Sequence, residues 1–306
     1  MAKRKILSNA ALLIAAIVWG IAFVSQEQAS KYIGTFTVTA LRSVIASIAL
    51  IPLILITSKI NKRPVFEKSK TDRKLLLTAG VLCGTLLCIA SNIQQFGISI
   101  YPSDANISAR SGFITALYVI LVPVCGIFFK KKVGITVWLS VVIATIGLYL
   151  LCGTQGLDGI YLGDAIILCC ALCFSLQILC VDHFISRVDG IKLASIQFMT
   201  CGLLSLIFML IIEKPSIQNI MNAAGPILYL ALVSSGVGYT LQIIGQKYSD
   251  NPTVASILMS FESVFAALGG WLILNKSLSI YEILGCVVMF AAIVLAQIPV
   301  KTKNKE

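Results

Sequence analysis

Apolar residues run through this chain in ten long blocks, separated by short polar clusters. The blocks fall near residues 8–26, 35–57, 75–96, 104–129, 134–152, 161–181, 193–212, 224–246, 252–274 and 280–298. A bilayer core about 30 Å thick needs roughly 20 apolar residues per helix, and each block approaches or exceeds that length. The pattern predicts an all-α polytopic membrane protein with ten transmembrane helices. The longest polar segment is about 58–74, so no extramembrane domain is expected.

Composition agrees with that picture. The chain of 306 residues is 58% hydrophobic and 12% charged, against about 25% charged in an ordinary soluble domain. A net charge of +11 would suggest nucleic acid in a soluble protein, but its placement argues against a nucleic-acid partner. Nineteen of the 24 Lys and Arg flank alternate ends of the blocks, at residues 3–5, 59–74, 130–132, 187, 192, 247 and 301–305. The opposite ends carry only Lys31, Lys214 and Lys276, while Arg42 and Arg110 lie inside blocks. The positive-inside rule then puts both termini in the cytoplasm, as an even number of spans also requires. The first block resembles a signal peptide, but Ser25-Gln26-Glu27-Gln28 is a poor cleavage site, so an uncleaved first helix is expected. Most of the ten cysteines lie inside blocks, where a thiol behaves as a small apolar side chain. The Cys170–Cys173 pair spells CxxC but has no histidine ligands beside it, so no metal or redox cofactor is expected.

The blocks repeat five against five. Trp19-Gly20 falls opposite Phe174-Ser175, and at the same offset Ala40-Leu41-Arg42-Ser43 falls opposite Ser195-Ile196-Gln197-Phe198. Asn92-Ile93-Gln94-Gln95-Phe96-Gly97 is answered by Thr240-Leu241-Gln242-Ile243-Ile244-Gly245. Because five is odd, the second unit must enter the membrane from the other side. Residues 8–152 and 161–298 therefore read as two inverted five-helix repeats, an architecture of many secondary transporters.

Several stretches carry a family likeness. Leu13-Ile14-Ala15-Ala16-Ile17-Val18-Trp19-Gly20 forms a first-helix signature, and Ala40-Leu41-Arg42 a second-span arginine motif. Ser111 to Pro123 reads SGFITALYVILVP, and Ala255 to Ala267 reads ASILMSFESVFAA. These resemble the drug/metabolite transporter superfamily in its EamA-domain branch. Ser263 stands where that family usually has proline, and Asn275-Lys276 where it usually has Gly-Glu. The resemblance implies export of a small metabolite across the plasma membrane, without naming it.

Ionisable groups at bilayer depth are costly, about 2.5–3.5 kcal/mol each on insertion scales. Glu262 lies near the middle of the ninth span; Arg42 and Arg110 lie in the outer parts of the second and fourth. If all three faced one cavity, it would carry net positive charge and favour a carboxylate-bearing, amino-acid-like substrate, which Arg can grip bidentately. Glu262 could receive an amine or carry a proton. With Arg42 and Glu262, the residues Trp19, Asn92, Gln94, Tyr118, Tyr239 and Gln242 make up the candidate substrate-binding set of eight, with Gln95, Gln177 and Gln197 ranked below them; Arg110, near its helix start, is read as structural. Against this stand plainer roles: snorkelling of Arg42 and Arg110 to headgroups, a purely structural Glu262, and packing for Trp19. Asp104, Asp164 and Glu282 read as helix caps. Pro123 should kink the fourth span, and Gly80 and Gly84 should let helices approach closely.

No GxxxxGK[ST] loop is present for ATP, and a lone His183 supports neither a catalytic triad nor an HExxH zinc site. The sequence therefore reads as a secondary transporter rather than an enzyme, with the lipid bilayer, a small-molecule substrate and, in a coupled cycle, protons as its partners. A homodimer is neither required nor excluded. The competing readings are an intramembrane enzyme or lipid-handling protein, and a non-transporting scaffold.

Overall fold

A computed structural model describes residues 2–62, 64–65, 67, 69–102, 107–129, 133–152, 161–249, 251–274 and 280–296. Several sequence expectations lie outside the described residues: the cap at Asp104, the basic residues 130–132 and 301–305, and Asn275-Lys276. Among the described residues the fold is helical, with no strand. The helices are α1 (Ala2–Ser30), α2 (Thr35–Ile60), α3 (Lys70–Ser99), α4 (Ile107–Ala116), α5 (Tyr118–Phe128), α6 (Ile135–Cys152) and α7 (Leu162–Ile185). They continue as α8 (Gly190–Phe208), α9 (Ile217–Asn222), α10 (Ala224–Leu228), α11 (Thr240–Tyr248), α12 (Pro252–Met259), α13 (Glu262–Leu274) and α14 (Ile280–Ala296). Two stretches are wound as π-helix, Met209–Glu213 after α8 and Tyr229–Tyr239 between α10 and α11.

Eight of the resulting rods are long and apolar enough to cross a membrane. The expected fifth and tenth spans fall on shorter apolar helices, Ile135–Gly147 and Ile283–Ala296. Large apolar side chains such as Ile48, Leu55, Leu77, Ile211 and Phe290 point outward. So much exposed apolar surface is stable only against lipid. The protein is a multi-pass membrane protein.

Among the described residues two of the spans are broken and the eighth is distorted. The fourth breaks at Leu117, between α4 and α5, about two turns before Pro123 rather than at the proline itself. The ninth breaks at Ser260 and Phe261, between α12 and α13. Serines there repair the freed carbonyls: the hydroxyls of Ser256, Ser260 and Ser263 donate to the carbonyls of Thr253, Ile257 and Ser260 at 2.8–2.9 Å. The eighth widens into the π-helical stretch. Irregular backbone at this depth is tolerated where it is buried in protein or lines a cavity.

The main helix pairs are α2 with α8, α3 with α7 and α8, α6 with α14, and α1 with α11 and α13. Small residues set how closely they approach. A methyl group at Gly20 would lie 2.5 Å from Phe265 Cβ and 2.8 Å from the Ala266 nitrogen, so only glycine lets α1 rest on the backbone of α13. At Gly84 it would lie 2.6 Å from the Gln197 carbonyl, so Gly84 is a packing contact of α3 on α8. Chain direction between helices is fixed by acidic caps. The Glu213 carboxylate accepts from the Phe36 and Thr37 nitrogens, both at 2.8 Å, and from Thr37 Oγ1 at 2.7 Å. Lys214, at φ 43°, ends the preceding π turn and aims Glu213 back onto α2.

Candidate functional site

The broken spans converge on one interior cavity. Its wall draws on α1, α2, α3, α4, α5, α7, α11, α13 and the π-helical stretch. The empty space among its lining side chains is about 490 Å³, part of it continuous with the outside, and about 40 Å³ of it admits water. That is room for about three waters, so the space is narrow in this conformation.

Seven of the eight candidate residues meet there: Trp19, Arg42, Gln94, Tyr118, Tyr239, Gln242 and Glu262. Arg42 and Glu262 are each only 4% exposed. Arg42 Nε and Glu262 Oε1 are buried with no hydrogen-bond partner. The same holds for the Tyr118 hydroxyl and for Gln242 Oε1. Buried polar groups are normally satisfied by protein or water; Tyr118 and Glu262 lie close enough to interact with each other, and Arg42 Nε is left without a hydrogen-bond partner among the described residues. Glu262 opens α13 just after the break, where the positive end of the helix dipole favours a carboxylate. Aromatic rings line the opposite quality of surface. Trp19 and Tyr239 sit with ring centres 4.8 Å apart, and Phe198 packs edge-on to Tyr239 at 5.3 Å. The indole is anchored by Nε1 donating to the Ser234 carbonyl at 3.2 Å.

Two glutamine chains flank these charges. Gln26 Nε2 donates to Gln94 Oε1, and Gln94 Nε2 donates to Thr115 Oγ1, both at 3.1 Å. On the other wall Gln242 Nε2 donates to Gln177 Oε1 at 3.4 Å, and Gln177 Nε2 to Gln197 Oε1 at 3.5 Å. Gln26, Phe23, Thr115, Phe174 and Ser234 line the cavity although the sequence reading did not select them. Signals for some were present. Positions 19, 22, 23 and 26 share one helical face, Phe174 is the repeat counterpart of Trp19, and Thr115 lies one turn before Tyr118.

Two sequence expectations fall elsewhere. Asn92 does not reach the cavity: its Nδ2 donates to the Cys88 carbonyl and to Ser205 Oγ, both at 2.8 Å, between α3 and α8. Arg110 also lies outside it, so the three buried charges do not share one cavity and the expected net positive charge is replaced by one Arg and one Glu. Arg110 makes a bidentate pair with Asp164, Nε to Oδ1 and Nη2 to Oδ2, both 2.6 Å. Its guanidinium stacks 4.7 Å from the Tyr161 ring centre. The Tyr101 hydroxyl donates to Asp164 Oδ1 at 2.6 Å, and the Tyr161 nitrogen to Oδ2 at 2.9 Å. Asp164 thus caps α7, as expected, and also ties α4 to it. Burial, helped by the Asp164 carboxylate, pushes the Tyr101 hydroxyl well above its ordinary pKa, so it remains a donor. Asp164→Asn should lower stability by about 3 kcal/mol by stranding Arg110, read as a drop in melting temperature. Affinity for a ligand in the cavity should not change.

Comparison with known proteins bears on the fold and, separately, on the family. A crystal structure of another protein superposes with a TM-score of 0.74 over 95% of this chain and 96% of that one, at 15% identity. That shows a shared fold. An uncharacterized transporter of Archaeoglobus fulgidus is 24% identical over 303 residues, 97% of this chain and 88% of its own length. The EamA-like transporter family matches residues 6–153 and again 161–297. With a membrane-embedded helical fold, a polar interior cavity and a family match that covers both parts of the sequence, the chain belongs to the EamA-like transporter family and is a membrane transporter.

Proposed function

We propose that this transporter exports a small amphipathic metabolite carrying a carboxylate, amino-acid-like in chemistry, across the plasma membrane by alternating access. The observation that carries the reading is the pair of buried ionic groups, Arg42 and Glu262, on the wall of one cavity, each with a polar atom that has no partner among the described residues. A zwitterion matches it: carboxylate on the Arg42 fork, ammonium on Glu262, apolar body against Trp19 and Tyr239. Between substrates Glu262 carries a proton, which couples transport to the proton gradient.

The moving parts in this reading are two inverted five-helix repeats, 8–152 and 161–298, together forming ten spans. Repeat counterparts support it. Trp19 and Phe174, like Gln94 and Gln242, stand at equivalent sequence positions and face the same cavity. Helix pairing has the same symmetry: α3 packs on α7 and α8 as α1 and α2 pack on the eighth span. The fourth and ninth spans break immediately before Tyr118 and Glu262. A two-fold relation that passes through the cavity lets one repeat rock on the other around a fixed site. Both termini are assigned to the cytoplasm on the charge bias of the loops.

Counterflow in proteoliposomes loaded with zwitterionic, anionic, cationic and neutral amphiphiles of similar size tests the substrate class. Zwitterions should exchange at least about tenfold faster than the cationic analogues lacking a carboxylate. Equal exchange of cations, or preference for them, would overturn the assignment.

A further inference from the structure

A second cavity lies at the basic end of the molecule, on its lipid-facing side. The helices α2 and α3 both pack along α8 but make fewer contacts with each other, which leaves a groove of about 980 Å³ between them. Ile196 of α8 lies on its floor, and Ile51 and Leu55 of α2 face Leu77 of α3 across it. Those three wall residues are 46%, 49% and 49% exposed, so the groove is open sideways to the bilayer. From Ile51 to Ile60, where α2 ends, the wall rises about 13 Å at 1.5 Å per residue. That is close to the depth of one leaflet of a core about 30 Å thick.

The upper rim is cationic and built. Lys192 Nζ donates to the Pro64 carbonyl at 2.8 Å and pairs with Glu67 Oε1 at 2.7 Å. This pins the segment after α2 across the head of the groove. Arg73 borders the groove on the α3 side. Its Nη2 donates to the Glu67 carbonyl at 3.1 Å, the one hydrogen bond of its side chain among the described residues. A guanidinium has five N–H donors, and Arg73 uses one of them within the described residues, at headgroup level. Lys192 is already matched by Glu67, and the surplus charge is that of Arg73, with Lys59, Lys62, Lys70 and Lys74 exposed nearby in the sequence.

We propose that this groove binds an anionic phospholipid, with the phosphate on Arg73 and one acyl chain laid along Ile51, Leu55 and Leu77. Charge complementarity selects the lipid. Basic pockets between spans at this level suit anionic headgroups, and a fork-shaped guanidinium suits a phosphate. The site is separate from the transport cavity and does not depend on what that cavity carries.

Native mass spectrometry of the delipidated full chain, with phosphatidylglycerol or phosphatidylcholine added at equal concentration, tests it. The wild type should retain phosphatidylglycerol at least about tenfold more than phosphatidylcholine. Arg73→Gln should bring the two to parity. Leu77→Trp, which fills the groove without touching a charge, should reduce retention of both. Lys62→Gln, outside the groove, should leave the preference as it is. Parity in the wild type would overturn the proposal. So would a preference that survives Arg73→Gln, or one lost equally in Lys62→Gln, which would indicate a diffuse basic surface. Retention unaffected by Leu77→Trp would remove the acyl-chain half.

Discussion

Arg42→Ala should lower substrate flux about 100-fold while leaving the protein at least as stable as the wild type. The two halves of this result have one cause. Arg42 is 4% exposed, its Nε has no partner, and it forms no ion pair among the described residues. An uncompensated buried charge costs several kcal/mol of desolvation, so removing it relieves the fold. Its value must then be realised with a ligand. Two charge-assisted hydrogen bonds to a carboxylate contribute about 3 kcal/mol together, which is about 100-fold in affinity. Arg42→Lys keeps the charge and loses the bidentate fork, so it should recover part of the flux. Counterflow and melting temperature, measured on the same preparations, decide. A loss of stability in step with the loss of transport would make Arg42 structural and sink the site.

Glu262→Gln should abolish the response to an imposed pH gradient while exchange of labelled substrate continues. If one proton crosses per substrate, each unit of pH difference can change the accumulation ratio about tenfold, the equivalent of about 1.4 kcal/mol. The wild type should approach that slope, and the glutamine variant should show none, because the amide cannot take up or release the proton. Glutamine preserves the volume at a site whose Oε1 accepts no hydrogen bond from the protein, so the fold should survive. A variant that keeps the wild-type slope would remove Glu262 as the proton carrier, and coupling would need another group.

Together these variants separate Arg42 from Arg110, for which the sequence offered only position, Arg110 lying near its helix start. Both are arginines in the outer part of an apolar block, and both carry the same insertion cost. Arg110 has an answering carboxylate, Asp164, 54 residues further along the chain. Arg42 has none. Pairing at that separation depends on how α4 and α7 pack, and no local pattern reports it. The same holds for Asn92 and Gln94. They are two residues apart, but on a helix with 3.6 residues per turn that is about 200° of rotation, so Gln94 faces the cavity and Asn92 faces α8. Glu213 is a third case: adjacent to a loop lysine in sequence, it caps α2 from 176 residues away.

The sequence by itself determined which segments are apolar enough for a membrane, which loops are basic, the resemblance to a transporter family, and most of the polar residues that line the cavity. Those are local properties, since hydropathy, charge and residue type are written position by position. Only the tertiary structure decided which polar groups share a cavity, where the spans break, and which charges are left without a protein partner. Each of those depends on the rotation of one helix against another, and rotation is fixed by side chains meeting across the whole length of the chain.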